Sequence, residues 1–200
     1  MSEKHFDEKY YKKQSNIYSL LFQAYMDKYF LESVEHFKAN IPPKTTGLIN
    51  NAIFVVAHIC ELAKKDLALT LWKTYYDDSG DANTVKQLNR YLFMNHQIKY
   101  KTVETENIKR SRSTLSSLRH GFIAHNLMDN DGRELQVMDL ISALEDIRKI
   151  FNDLCFNTID SRVFQFVDEK VYSISFYEKL GLDPLLTSVF HLQNDVEKGE

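Results

Sequence analysis

Three prolines and six glycines in 200 residues leave few places where this chain must turn, since these residues are the strongest local breakers of regular structure. Those present cluster. Pro42-Pro43, Asp77-Asp78-Ser79-Gly80-Asp81, Asp129-Asn130-Asp131-Gly132 and Gly181-Leu182-Asp183-Pro184 mark four expected breaks. Only two cysteines occur, Cys60 and Cys155, each in an apolar helical context. Buried free thiols in a reducing compartment are therefore expected, not a disulfide framework. No uninterrupted apolar run reaches membrane length, and Met1-Ser2-Glu3-Lys4 opens charged without the apolar core of a signal peptide. A cytoplasmic protein without a membrane partner is the expectation. The net charge of −3 rules out polyanion binding by bulk charge, so any nucleic-acid contact must come from a local patch. Glycine-rich phosphate loops, a nucleophile elbow and a dinucleotide fingerprint are all missing. So are His-Glu-x-x-His and paired-cysteine motifs, and His58 and Cys60 share a helix but not a ligand face. No cofactor and no metal are expected.

What is present is helical periodicity. A length of 200 residues suits one domain with at most a small appendage and is ample for a sizeable core. Phe22, Tyr25, Met26, Tyr29, Phe30 and Phe37 form one apolar stripe. Ile49, Ile53, Val56, Ala57, Cys60, Ala63 and Lys64 form a second, and Val137, Leu140, Ile141, Leu144, Ile147, Phe151 and Leu154 a third. Steps of three and four are the mark of amphipathic helices. Strand signals are weak: Val163-Phe164-Gln165-Phe166-Val167 and Val171-Tyr172-Ser173-Ile174-Ser175-Phe176 alternate briefly, but Asp168-Glu169-Lys170 between them lacks the residues of a tight hairpin turn. That region reads as helix. The expected architecture is all-α, an antiparallel up-and-down bundle over residues 1–160, with a helical C-terminal extension over 161–200 packed on it. The 11 tyrosines and 13 phenylalanines fall at helical spacing, which assigns them to the core before base stacking. Asp77-Asp78 reads as a helix end and turn.

One stretch does not fit a core helix: Arg119-His120-Gly121-Phe122-Ile123-Ala124-His125-Asn126. Burying a permanent cation, two imidazoles and an amide without partners costs several kcal/mol, so these groups should face solvent, a cleft or an interface. An arginine with a nearby histidine supplies a fixed cation for phosphate and a titratable group for protons. The segment holding them starts after Asn95 or at Ser113, and the Ser/Thr-rich residues 111–117 offer caps and tolerate a kink. Leu115, Leu118 and Phe122 continue an apolar stripe towards His125. On an ideal helix Arg119 and His125 lie about 120° apart around the axis and about 9 Å apart along it. Either Gly121 distorts the helix, or the arginine reaches back, or a second subunit completes the site. Lys109-Arg110-Ser111-Arg112, one to two turns upstream, reads either as a solvated face or as a grip on RNA backbone.

Arg119-His120-Gly121-Phe122-Ile123-Ala124-His125 resembles the Arg-polar-x(4)-His signature of the HEPN superfamily. The words LRHGFIAHN, ahead of an acidic loop, and LWKTYYDDSGDANTVKQL, like an aspartate-ended helix followed by a short one, are similar to its abortive-infection (AbiU-type) subfamily. The looser likeness covers roughly residues 45–160. It implies a helical bundle that dimerises through its motif-bearing faces and, in many members, a metal-independent endoribonuclease that attacks with the RNA's own 2′-hydroxyl. On that reading Arg119 and His125 are catalytic, and His120 and Asn126 support them. RNA is the substrate, and an antitoxin or defence partner protein is implied. Where one branch of the superfamily carries a tyrosine two residues after the histidine, this chain has Leu127, so control by adenylylation of that tyrosine is not implied. Some members keep the fold without activity, which leaves a catalytically silent domain binding RNA or a partner protein as the alternative. A generic helical interaction protein is the third reading.

Overall fold

The computed structural model describes residues 6–40, 47–80, 82–100, 104–112, 115–116 and 137–158. The described residues are all-α, and no strand occurs among them. Helix α1 is Glu8–Asn40 and α2 is Gly47–Leu71, continued by a π-helical turn at Trp72–Tyr76. Helix α3 is Val85–His96, α4 is described over 106–112 and 115–116, and α5 is Val137–Thr158. None of the described helices is long and apolar enough to cross a membrane. The chain divides into two compact units, one of residues 1–28 and 64–166 and the other of 29–63 and 167–200.

In the first unit the interior face of α1 carries Tyr10, Gln14, Ile17, Leu21, Ala24, Tyr25 and Lys28, all buried. Steps of three and four put them on one side of the helix. Phe22, expected in the stripe, is 44% exposed instead; the buried face passes through Leu21, one position before it, and Ala24, two positions after it. On α5 all but the first residue of the expected stripe are buried: Leu140, Ile141, Leu144, Ile147, Phe151 and Leu154 are inside, each contributing about 1.5–3 kcal/mol by leaving water, while Val137 at the helix start is half-buried. Two polar contacts set the direction of these helices. Gln14 Nε2 lies 3.5 Å from Cys155 Sγ, and Lys28 Nζ lies 3.0 Å from Glu145 Oε1. As α1 advances from 14 to 28, α5 retreats from 155 to 145, so the two run antiparallel.

Leu67, Ala68 and Leu71 bury the end of α2. The π turn then adds a residue to the helical circuit, with Asp77 N–H donating to the Trp72 carbonyl at 3.0 Å. It turns two consecutive tyrosines, Tyr75 and Tyr76, into the interior. Asp77 ends the helix, and its Oδ1 accepts from Ser79 N at 3.0 Å, which makes the expected turn. Thr84 opens α3 by accepting from Gln87 N at 3.2 Å. Gln97 closes it in a left-handed conformation (φ 54°), with Gln97 N bonded to the Phe93 carbonyl and Ile98 N to that of Leu92. That double bond pattern satisfies carbonyls the helix end would otherwise leave open.

In the second unit Tyr29, Leu31, Val34, Cys60 and Ala63 are buried. Ala57, expected in the stripe of α2, is exposed. Both cysteines are free and buried, as expected. The side chains of Phe37, Ile49, Ile53 and Val56, the breaks at 42–43, 129–132 and 181–184, and the whole 161–200 extension, including residues 163–176, lie outside the described residues.

Candidate functional site

Arg119, His120, His125 and Asn126 fall within 117–136, outside the described residues. Lys109, Arg110 and Arg112 are described, on the helix that leads into that segment. Helix α4 starts at residue 106, between the two starting points the sequence offered.

Its first turn is fixed by one carboxylate of α5. Asp146 Oδ2 accepts from Thr105 Oγ1 at 2.5 Å and from Asn107 Nδ2 at 2.9 Å. Thr105 Oγ1 in turn accepts from Ile108 N at 3.3 Å, which makes it the cap. The inner face of α4 is Ile108, Ser111 and Leu115, all buried and three to four residues apart. Ser111, expected as a cap, is an interior residue of the helix. Its hydroxyl lies 2.7 Å from Tyr76 Oη, and it donates to the Asn107 carbonyl at 2.9 Å. Tyr76 Oη also donates to the Ile108 carbonyl at 2.8 Å. Burial pushes the Tyr76 phenol up to about 12, so it remains a neutral donor. The π turn of α2 and the carboxylate of α5 thus hold α4 from two sides.

With Ile108, Ser111 and Leu115 inward, helical geometry turns Lys109, Arg110 and Arg112 outward, and all three are exposed. Each cation has a carboxylate beside it. Lys109 Nζ is 2.7 Å from Glu106, Arg110 Nη1 is 3.8 Å from Asp139, and Arg112 Nη2 is 2.5 Å from Glu104. The hydrogen bond from Lys109, then its charge, holds the Glu106 carboxyl below the usual range, and the same bond raises Lys109. Glu104 is also bonded to Lys86 of α3, at 2.9 Å. Exposed ion pairs of this kind are worth about 0–1 kcal/mol, so an incoming phosphate can exchange with them at little cost. The patch is basic in sequence but locally neutralised in the free chain.

Sequence reasoning missed Lys86 and Glu104. A signal existed: Glu104 and Glu106 precede the basic run by the few residues that permit pairing along a helix start. Lys86 is distant in sequence and reaches the run only through the fold. A separate open cleft of about 530 Å³, lined by Asn16, Gln23, Lys73, Asp77 and Asn83 among others, contains none of the expected site residues. No family model, curated protein or solved structure matches the chain.

Proposed function

We propose that the chain is a HEPN-like helical bundle acting as a metal-independent endoribonuclease, in phage defence or as a toxin. The observation that carries this reading is the Arg119-His120-x(4)-His125 motif in an all-helical chain. The anchored α4, with Lys109, Arg110 and Arg112 outward just ahead of that motif, supports it.

In this reading His125 imidazole removes the 2′-hydroxyl proton, and the freed oxygen attacks the adjacent phosphorus. The P–O5′ bond breaks, and the 5′-oxygen takes a proton from an imidazolium. A histidine with an ordinary pKa near 6.5 serves either step at neutral pH. Arg119 holds the non-bridging oxygens as charge accumulates, worth about 3 kcal/mol in the transition state. A homodimer paired through the motif faces brings two arginines and two histidines to one cleft, which separates acid from base. His120 and Asn126 contact phosphate or orient His125. Lys109, Arg110 and Arg112 receive the RNA backbone. The protein works in the cytoplasm, and an antitoxin or defence partner restrains or triggers it.

A second reading, a silent HEPN-like domain that binds RNA or a partner protein, draws support from the carboxylate beside each of Lys109, Arg110 and Arg112. Incubating labelled total RNA with purified protein in excess chelator, beside Arg119→Ala and His125→Ala, separates the two. Cleavage that falls roughly 100-fold or more in both folded variants supports the nuclease. Folded, dimeric wild-type protein that binds RNA without cutting it supports the silent domain.

A further inference from the structure

Lys86 and Arg112 come from different helices and meet on a single oxygen. Lys86 Nζ lies 2.9 Å and Arg112 Nη2 2.5 Å from the same Oε1 of Glu104. Both cations sit against aromatic faces: Lys86 Nζ is 4.7 Å from the centre of the Tyr75 ring, and the Arg112 guanidinium is 5.8 Å from that of Tyr76. Those rings are fully buried, and Tyr76 is tied to α4 by its hydroxyl, so the floor under the cations is fixed. The three charged side chains are not: Lys86, Glu104 and Arg112 are 29%, 27% and 48% exposed.

Two cations held on one oxygen is the arrangement a non-bridging phosphate oxygen requires, with the arginine fork able to take a second oxygen. We propose that Lys86 and Arg112 form a phosphate-binding pair for RNA, occupied in the free chain by the Glu104 carboxylate as an internal stand-in. The identity of the ligand rests on the nuclease or RNA-binding reading; the pair itself rests on the geometry. Partial burial raises the Glu104 carboxyl, but the bonds and charges of Lys86 and Arg112 outweigh it and keep the group ionised at neutral pH. Glu104 precedes the cap residue Thr105, so its side chain can leave the pair without breaking a hydrogen bond of the helix. RNA displaces Glu104 by offering several phosphates along α4 at once, where a single phosphate competes with it on nearly equal terms. Glu104 therefore sets a threshold: a polyanion displaces it fully, a single phosphate only in part.

The test is the affinity of the full-length protein for a labelled single-stranded 2′-O-methyl oligonucleotide, which cannot be cut by 2′-hydroxyl attack, so binding is read without turnover. Glu104→Gln should tighten binding about threefold or more, and Lys86→Ala and Arg112→Ala should each weaken it by a similar factor. Lys86→Ala should also lower the slope of log affinity against log salt by about 0.7, the value for one single-strand phosphate contact. If Glu104→Gln does not fold, Glu104→Asp, one methylene shorter, should show the tightening in reduced form. Unchanged or weaker binding in both Glu104 variants, or unchanged binding in Lys86→Ala, overturns the proposal. Equal tightening for AMP and the oligonucleotide would make the ligand a free nucleotide and overturn the assignment to RNA. Cleavage of ordinary RNA with affinities indifferent to Lys86 and Glu104 removes this pair but leaves the nuclease standing. The predicted affinity changes without cleavage would do the reverse.

Discussion

Helices α1 and α5 run antiparallel, yet their sequences announce the shared interior very differently. On α5 six apolar residues from Leu140 to Leu154 form one stripe, and every one is buried. On the first unit's part of α1, apolar and aromatic residues surround the helix, and the interior face includes Gln14 and Lys28. Lys28 is 6% exposed, while Phe22 on the same helix is 44% exposed. The lesson is that the buried face of α5 is marked by its apolar residues, whereas that of α1 also contains polar groups whose burial depends on partners on α5. Lys28 is held by Glu145 at 3.0 Å and lies 5.2 Å from the Tyr25 ring, which is how an ammonium is accommodated inside.

The largest effect that would sharpen this contrast is a cavity on α5. Phe151→Ala should cost about 3–5 kcal/mol in urea unfolding, while Phe22→Ala should cost less than about 0.5 kcal/mol. Equal losses would mean that the exposed face of α1 is covered by something else. Next comes the buried cation. Lys28→Ala should cost about 1–3 kcal/mol, less than for a fully buried pair because Glu145 is 28% exposed and keeps Arg148 at 2.9 Å. Lys28→Met should recover most of that loss, since it keeps the packing stem without the charge. A Lys28→Met variant as unstable as Lys28→Ala would show that the ion pair itself is required.

Smaller still is the tie between the π turn and α4. Tyr76→Phe removes one hydroxyl shared by Ser111 and the Ile108 carbonyl, and should cost about 1 kcal/mol. Amide exchange at residues 108–112 should accelerate with it.

The last prediction concerns pH. Burial, with the charge of Asp66 adding to it, pushes the Asp27 carboxyl up from 3.8 to about 7. Its Oδ2 is buried and has no hydrogen-bond partner among the described residues. The folded state therefore holds this proton more tightly than the unfolded chain. Stability should fall as pH rises from about 4 to about 7 and level off above that. Asp27→Asn should flatten that slope and raise the melting temperature at pH 8. A slope unchanged in Asp27→Asn would assign the pH dependence to other groups.

The helical class and the α5 core were legible because buried apolar positions repeat every three or four residues there without competition. The break at Asp77 was legible because aspartate and glycine have local reasons to turn the chain. The interior face of α1 was not, because its choice between Leu21 and Phe22 is decided by the partners of Gln14 and Lys28 on α5. The π turn was also hidden: Trp72-Lys73-Thr74-Tyr75-Tyr76 contains no residue that demands an extra position in the circuit. For the candidate site, the cations of α4 could be read from sequence and their outward direction follows from Ile108, Ser111 and Leu115. Their neutralisation by Glu104, Glu106 and Asp139, and the arrival of Lys86, depend on the fold.

Under the proposed function the attacking group is the RNA's own 2′-hydroxyl. The most direct test is to map a cleaved bond in a short RNA and then offer the protein the same oligonucleotide with a single 2′-deoxy sugar at that position, in excess chelator. With 2′-hydroxyl attack, the all-ribose strand is cut to a 2′,3′-cyclic phosphate and a 5′-hydroxyl end while the substituted strand stays intact. Cleavage of both strands, or of neither by folded protein, would contradict it.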